Sequence, residues 1–317
     1  AINGSSDYDE AILELSHQGK SVEEIYDVLT QEDIGHGADL LHGIYDKSDA
    51  LDGYISIEVP PTMAADTHAT IAEAKRLFNS IRRPNVMIKV PATPEGIPAI
   101  RALIAEGVNV NVTLIFSLDA YAQVIEAYLS GLEDRAAQNL PLDRVSSVAS
   151  FFVSRLDTLV DRLIQEKNLN PDLSGKAAVA NAKLAYALFQ EQFQSERFAR
   201  LKNKGARVQR PLWASTSTKN PAYPDLLYVD TLIGPDTVNT LPPQTISAVL
   251  DHVKVERTVD QDLDGQRAFI AELEKSGISM NSVTDQLLQE GVQSFIQSFT
   301  SLFDGIAAKR DQLLARS

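Results

Sequence analysis

The chain contains no cysteine, which excludes disulfide bonds, zinc sites built on thiolates and cysteine nucleophiles. It also lacks long hydrophobic runs, because no stretch approaches the roughly 18 apolar residues of a membrane span. The opening residues, AINGSSDYDEAI, have neither the basic nor the apolar part of a signal peptide. The lack of cysteine is compatible with a reducing compartment, and we expect a cytoplasmic protein with no membrane partner.

Positive charge is scarce, since 29 lysine and arginine residues stand against 43 aspartate and glutamate residues, a formal net charge of −14. Such a charge opposes the binding of nucleic acids. A phosphorylated small molecule would have to be held by a few local arginine or lysine side chains. With 317 residues, 44% of them hydrophobic, the chain has room for one α/β barrel or for two smaller domains.

Histidine is scarce too, and the few present do not share the spacing of a metal site. Neither an HxH nor an HxxxH pattern joins any two of them, so no metal ion is expected. GxGxxG, P-loop and GxSxG motifs are absent, so nucleotide binding and serine hydrolase chemistry have no support. The five histidines are His17, His36, His42, His68 and His252.

Short apolar runs alternate with amphipathic stretches along the chain. This alternation is typical of βαβ units and of a parallel sheet. The predicted strands cover residues 53–59, 85–90, 108–114, 146–152, 207–213 and 237–240. The predicted helices cover residues 67–80, 94–106, 118–131, 154–167 and 175–204, and nearly everything from 244 onward.

One face of each early strand is apolar, and the other turns polar towards the strand's carboxyl end. In the third strand, Asn109, Asn111 and Thr113 point one way while valines point the other. An open doubly wound sheet would need both faces apolar, whereas the inner face of a (β/α)8 barrel opens into an active site. The pattern predicts an α/β fold, a TIM-type (β/α)8 barrel with six of its eight strands readable, as one domain over residues 1–317.

The last part of the chain carries apolar residues at three- and four-residue spacing between 281 and 316. We expect this helical stripe to pack against the barrel as extra C-terminal structure. Dimerisation through the stripe is the alternative.

Lys89 is a single ammonium group on the otherwise apolar strand NVMIKV. A buried lysine must find a carboxylate or give up its charge, and desolvation lowers its pKa. A neutral amine is a nucleophile that forms a Schiff base with a carbonyl. The alternative is a lysine at the strand end that reaches solvent or pairs with a surface acid.

Polar residues gather at the predicted carboxyl ends of the strands, which meet in one mouth of a barrel. This inventory suits a Schiff-base enzyme acting on a small phosphorylated and hydroxylated carbonyl compound, with Glu58 moving protons directly or through a water. The amide and hydroxyl groups can bind substrate hydroxyls, and the cations can bind a phosphate. The residues are Glu58, Lys89, Asn111, Thr113, Ser150, Arg155, Ser215 and Lys219.

Each of these residues has a structural alternative. Glu58 can be a counter-ion at a strand end, and Asn111 and Thr113 can bond neighbouring strands. Arg155 can pair with an acid of its own helix, Asp157 or Asp161. The TSTKN segment that contains Lys219 can be an ordinary polar turn.

At these residues the chain strongly resembles transaldolases. The similar segments are ISIEVPP, NVMIKVPATPEGIPAI, GVNVNVTLIFS, ASFFVSR and WASTSTKNPAY. The resemblance runs over essentially the whole length, and DTVNTLPPQTI is similar to the bacterial branch with the larger subunit. It implies a cofactor-free (α/β)8 barrel enzyme, a transferase of the pentose phosphate pathway.

The resemblance implies that Lys89 forms a Schiff base with a ketose phosphate, fructose 6-phosphate or sedoheptulose 7-phosphate. A dihydroxyacetone unit stays on the lysine and passes to erythrose 4-phosphate or glyceraldehyde 3-phosphate. Glu58 positions a catalytic water, and Asn111 and Thr113 support the intermediate and that water. Substrate contacts are implied for Ser150, Phe152, Arg155 and Ser215, and for Lys219 at a shifted spacing.

The chain departs from the family pattern at its beginning. Transaldolases carry two further strands before the GSSDYDEAI region; the first bears an acidic general acid/base and the second ends in Asn-Pro. We expect this part to come from an additional N-terminal segment or from a partner in a homodimer, unless the protein is a truncation. As it stands, the chain is not expected to give full turnover.

Two rival functions stay open at this stage. A fructose 6-phosphate aldolase of the same barrel type would release dihydroxyacetone to water without an acceptor. An inactive scaffold would bind sugar phosphates without covalent chemistry, because the first two strands are missing.

Overall fold

The computed structural model describes residues 2–316. Its centre is one sheet of six parallel strands, each lying beside the next one along the chain. The strands are β1 Ile55–Glu58, β2 Val86–Pro91, β3 Val110–Ile115, β4 Ser147–Phe152, β5 Arg210–Ala214 and β6 Val238–Asn239. The predicted α/β fold is confirmed, because parallel strands in chain order with helices between them form a TIM-type barrel wall.

Helices connect the strands and cover the outside of the sheet. They are α1 Asp9–His17, α2 Val22–Lys47, α3 Thr67–Ile81, α4 Gly96–Glu106, α5 Leu118–Ala137, α6 Ser154–Glu166, α7 Ala177–Phe193, α8 Glu196–Lys202, α9 Leu227–Asp230, α10 Pro243–His252, α11 Leu263–Lys275 and α12 Met280–Leu314. Within the described range, no helix is both long enough and apolar enough to cross a bilayer.

One predicted helix was wrong. The pattern over 175–204 predicts a single helix, but the structure has two, α7 and α8, that meet at Ser195. The Ser195 backbone is extended and its hydroxyl accepts a hydrogen bond from the Phe198 amide, so it caps the start of α8. A serine in this role satisfies an amide that the first turn leaves unpaired, and this ends one helix and begins the next.

The outer face of the sheet carries the main core. Val86, Ile88 and Val90 of β2 alternate on this face and are buried under α3 and α4. Burying one such side chain is worth about 1.5–3 kcal/mol, so this face fixes the register of the strand. The register in turn decides which side chains of β2 point inward.

The inner face encloses a cavity of about 890 Å³. Met87, Val148 and Leu212 form a small apolar cluster on this side of the sheet. Ser56, Lys89 and Asn111 also line the cavity, so its wall is partly polar, as the alternating strand pattern predicts.

Helix α12 crosses the carboxyl end of the sheet. At Gly291 in α12, an added Cβ would lie only 3.0 Å from Leu114 Cδ2 at the end of β3, so the helix rests directly on the strand. Phe299 and Phe303 pack on the ring of Tyr26 in α2, with ring centroids 5.6 and 5.0 Å away. The predicted packing of the C-terminal stripe against the barrel is confirmed.

The sheet has two open edges, because β1 and β6 each pair with one strand among residues 2–316. Arg210 connects the segments before these strands: Nη1 donates to the Leu51 carbonyl at 2.9 Å, and Nη2 donates to the Thr237 carbonyl at 3.1 Å. Elements beside both edges expose large apolar side chains. These are Leu40, Ile44 and Leu51 near β1, and Ile246, Leu250 and Val255 after β6.

Candidate active site

The strand register places three predicted site residues side by side. Glu58 of β1 is the Cα partner of Lys89 in β2, and Lys89 is the partner of Asn111 in β3. In a parallel sheet such partners stand at the same height. A carboxyl group, an ammonium group and an amide therefore form one row across three strands.

Lys89 is the one residue of β2 that is not fully buried. Its neighbours Ile88 and Val90 point into the core, while Lys89 lies on the inner cavity. No carboxylate in the described residues forms an ion pair with its ammonium group. Lys89 is half-buried because the inner face of β2 opens into a cavity. The alternative of pairing with a surface acid was wrong.

Asn111 is the centre of a buried polar network. Its Nδ2 donates to Ser56 Oγ at 3.1 Å, and its Oδ1 accepts from Ser150 Oγ at 2.7 Å. The network joins β1, β3 and β4 and fixes the orientation of the amide. Asn111 therefore bonds neighbouring strands, as its structural alternative proposed, and also lines the cavity beside Lys89.

Thr113 is buried, with 4% of its surface exposed, and stands opposite Pro91 of β2. Its Oγ1 has no hydrogen-bond partner within residues 2–316. The next residue, Leu114, has φ +57°, and the pairing of β3 with β4 shifts between Val112 and Ile115, so regular strand geometry is interrupted beside Thr113. The Thr113 carbonyl accepts from the Ala92 amide after β2 at 2.8 Å, so its backbone bonds the neighbouring strand while its hydroxyl does not. An unpaired buried hydroxyl costs about 1–3 kcal/mol.

Glu58 lies at the carboxyl end of β1, under helix α12. It lines a recess with Tyr26, Phe295 and Phe299, and not the cavity that Lys89 lines. Burial raises the pKa of the Glu58 carboxyl group, and the positive charge of Lys89 acts in the opposite direction. The expectation that all the polar residues converge in one mouth is therefore only partly met.

Arg155 lies in the first turn of α6, directly after β4. Its guanidinium group covers the ring of Phe152, with Cζ 5.4 Å from the ring centroid, and Phe152 in turn packs on Phe116. This stacking holds the cation in place without neutralising it. The alternative partners, Asp157 and Asp161, bind other donors: the amides of Ala178 and Gly175 and the hydroxyls of Tyr228 and Tyr223.

Ser215 follows β5 and joins the same region. It has φ +57°, and its Oγ lies 2.9 Å from Ser154 Oγ at the start of α6. Lys219 is exposed on the following loop and donates to Ser217 Oγ at 2.8 Å. The start of α6 thus has an arginine and two hydroxyl groups close together, which is a favourable arrangement for an anion.

Comparison with known proteins decides the family. A family model described as transaldolase/fructose-6-phosphate aldolase matches residues 1–306. The transaldolase of Trichodesmium erythraeum (strain IMS101) is 47% identical over 325 residues, covering 99% of this chain and 86% of that protein. Transaldolase 2 of Nostoc punctiforme is 45% identical over 98% of this chain and 84% of its own length.

The chain belongs to the transaldolase/fructose-6-phosphate aldolase family. The transaldolase of Thermobifida fusca (strain YX) adds a third relative, 47% identical over 303 residues, with 95% of this chain and 82% of that protein covered. The resemblance predicted from the motifs is confirmed, and so is the prediction of an enzyme of the transferase class.

Two residues of this transaldolase-family site were missed in the sequence. Ser56 binds Asn111 inside the cavity, and Ser154 binds Ser215 at the start of α6. The signal for Ser56 was present, because it lies two residues before Glu58 on the same face of β1. Ser154 gave no such signal, since its role depends on the approach of the segment after β5 to the start of α6.

The pKa shift of Glu58 predicts a pH-dependent effect on stability. Because its folded-state pKa is raised, the protonated form is the more stable one in the fold, and stability is lost as pH rises through that pKa. Glu58→Gln does not ionise. We expect the melting temperature of the variant to exceed that of the parent by on the order of 2 °C near neutral pH and to match it in acid.

Thermal melts from about pH 4 to about pH 8 measure this difference. Glu10→Gln, a change of an exposed carboxylate in α1, serves as the control. A variant whose advantage is largest in acid would show that the environment of Glu58 favours its charged form.

Proposed function

We propose that the protein is a transaldolase, which transfers a dihydroxyacetone unit from a ketose phosphate to an aldose phosphate. The observation that carries the proposal is Lys89, whose ammonium group forms no ion pair within residues 2–316 and lies on the inner cavity in register with Glu58 and Asn111. Fructose 6-phosphate or sedoheptulose 7-phosphate is the donor, and glyceraldehyde 3-phosphate or erythrose 4-phosphate the acceptor. The fold and the absence of cysteine are compatible with work in the cytoplasm.

Lys89 Nζ attacks the C2 carbonyl carbon of the donor, and water leaves to give a protonated Schiff base. Removal of the C4 hydroxyl proton breaks the C3–C4 bond, whose electron pair moves to the Schiff-base nitrogen. The aldose phosphate departs and an enamine stays on Lys89. The enamine carbon then attacks the acceptor aldehyde, and water releases the new ketose phosphate from the lysine.

The neighbouring residues take supporting roles in this proposal. Glu58 positions the water that carries protons, and burial raises the pKa of its carboxyl group above the ordinary value, which favours its holding a proton. Asn111 and Thr113 hold the intermediate and that water, and Ser150 orients Asn111. The Thr113 hydroxyl, which has no partner in the described part of the chain, gives a bound water or the substrate a buried partner.

In this proposal the residues at the start of α6 bind the phosphate of the substrate. Arg155 supplies a positive charge that Phe152 holds in place, and Ser215 and Lys219 contribute from the loop after β5. A local cluster is needed here because the net charge of −14 opposes the approach of an anion.

Borohydride trapping with fructose 6-phosphate tests the proposed function. Mass spectrometry of the Lys89 peptide should show a reduced three-carbon adduct, which requires both Schiff-base formation and carbon–carbon cleavage. An adduct of the intact sugar would place the defect in proton removal. No adduct on folded protein would overturn the proposal.

We further infer that a segment with two more strands closes the sheet between β6 and β1. The open edges and the exposed apolar side chains beside them support this, because unpaired edges and apolar surface favour association. Co-expression with the region of the Trichodesmium erythraeum transaldolase outside the matched part should yield a stable complex with higher turnover. The inference would be overturned if the chain alone formed a homodimer in which the backbone amides of the edge strands β1 and β6 are protected.

A further inference from the structure

Two tyrosines that follow β5 bind two carboxylates of helix α6. Tyr223 donates to Asp161 Oδ2 at 2.5 Å, and Tyr228 donates to Asp157 Oδ2 at 2.8 Å. The two acids lie four residues apart in α6 and therefore share one face of the helix. The chain from 223 to 228 is thus fastened along that face at two points.

Each carboxylate also binds a backbone amide at the start of α7. The Gly175 amide donates to Asp161 Oδ1 at 2.9 Å, and the Ala178 amide donates to Asp157 Oδ1 at 2.7 Å. The same arrangement therefore occurs twice: one oxygen takes a phenol, and the other takes an amide. Hydrogen bonds to a carboxylate are stronger than neutral ones, so the two bridges join α6, α7 and the segment after β5 firmly.

Gly175 lets the Tyr223 ring come close. It has φ +71°, and a Cβ added there would lie 2.7 Å from Tyr223 Cζ. Tyr223 thus packs against bare backbone while its hydroxyl reaches Asp161. A side chain at 175 would push the ring away and break that bond.

The other end of the same loop is also fastened to α6. The Ser154 amide donates to the Ser215 carbonyl at 3.0 Å, and their hydroxyls are 2.9 Å apart. Lys219 therefore lies on a loop that is held to α6 at both ends, at Ser215 and at Tyr223. Arg155, the cation proposed to bind phosphate, follows Ser154 directly.

We infer that Tyr223 and Asp161, with Gly175, are positioning residues for the phosphate of the substrate. They hold the loop that carries Ser215 and Lys219 at the start of α6, so that its groups and Arg155 bind one anion together. The inference rests on the proposed function and extends it to residues that touch no substrate.

Isothermal titration with fructose 6-phosphate tests this on the chain as it is. Tyr223→Phe keeps the ring and removes the hydroxyl that binds Asp161. We expect its Kd for fructose 6-phosphate to rise roughly tenfold, since a hydrogen bond to the half-buried Asp161 carboxylate is lost and the loop is freed. Tyr8→Phe is the matched control, because Tyr8 donates to Asp33 at 2.7 Å on an exposed surface far from α6 in sequence; its Kd should stay unchanged.

A glycine pair gives an independent test. Gly175→Ala and Gly277→Ala both place a side chain at a left-handed backbone position, but only the first meets Tyr223, since nothing lies within 4 Å of position 277. We expect weaker fructose 6-phosphate binding in the first variant only. Parent-like affinity in both Tyr223→Phe and Gly175→Ala would overturn the inference, as would a parent that does not bind the sugar phosphate.

Borohydride trapping with unphosphorylated dihydroxyacetone separates the two proposals. This ketone needs Lys89 but no phosphate site, so Tyr223→Phe should form its adduct as the parent does. Loss of that adduct in the variant would mean that Tyr223 acts on the fold and not on phosphate, and would overturn the inference. A parent that binds fructose 6-phosphate through Tyr223 but forms no adduct would overturn the proposed function alone.

Discussion

Lys89→Met is expected to abolish every borohydride-trapped adduct while the protein stays folded. The methionine side chain has nearly the length of lysine and no amine, so it can remain on the inner cavity without forming a Schiff base. The expected loss is complete, because the covalent bond itself is removed. Intact-mass spectrometry after reduction measures it, with circular dichroism as the check on folding.

The matched control is Lys183→Met. Burial lowers the pKa of Lys183, so a search by pKa alone would select it as the nucleophile. Its ammonium group, however, donates to the Gln261 carbonyl at 3.2 Å, on the side of α7 that faces α11. We expect the Lys183 variant to keep its adduct. An adduct that survives in Lys89→Met and disappears in Lys183→Met would identify Lys183 as the nucleophile. Lys183 lies outside the sheet, so this result would contradict the mechanism.

The positions of Lys89 and Asn111 could be predicted from the sequence, because they depend only on the two-residue periodicity of a strand. Alternation in β2 sends Val86, Ile88 and Val90 into the core, so Lys89 must face inward. Since the strands are parallel and in chain order, Asn111 then lies beside it. Local sequence was sufficient for these positions.

Other parts of the site depend on contacts between distant segments, which no local pattern encodes. Glu58 follows the alternation of β1, yet α12 arrives from more than two hundred residues away and places Phe295 and Phe299 around it. The bridges of Tyr223 and Tyr228 also need α6, α7 and the segment after β5 to meet. The break at Ser195 was missed for a different reason, because a capping serine changes the apolar spacing very little.

Family membership and site geometry support the proposed function in different ways. The match over residues 1–306 assigns the chain to its family, but it does not say which side chains are held in working positions. The structure adds that Asn111 is fixed by two serines and that Arg155 is held over Phe152. Residues oriented before the substrate arrives cost less to organise when it binds.

Thr113→Val is expected to make the protein more stable and less active. Valine has nearly the shape of threonine and removes a buried hydroxyl that has no partner within residues 2–316. We expect the free energy of unfolding to rise by about 1 kcal/mol. If the hydroxyl holds the reacting water or the intermediate, adduct formation with fructose 6-phosphate should slow by about a hundredfold.

Thr284→Val is the matched control for this prediction. Thr284 is equally buried, but its Oγ1 donates to the Met280 carbonyl at 3.0 Å inside α12. Removing that bond should lower stability by about 1 kcal/mol and leave the rate of adduct formation unchanged. Denaturant unfolding and single-turnover trapping give the two readouts.

Two results would contradict the prediction for Thr113→Val. A variant that gains stability at full rate would make the threonine dispensable for the chemistry, whereas one that loses stability would show that its hydroxyl has a structural partner. Opposite changes in stability and rate are therefore the result that identifies a functional hydroxyl, because a purely structural residue gains nothing in stability when its bonds are removed.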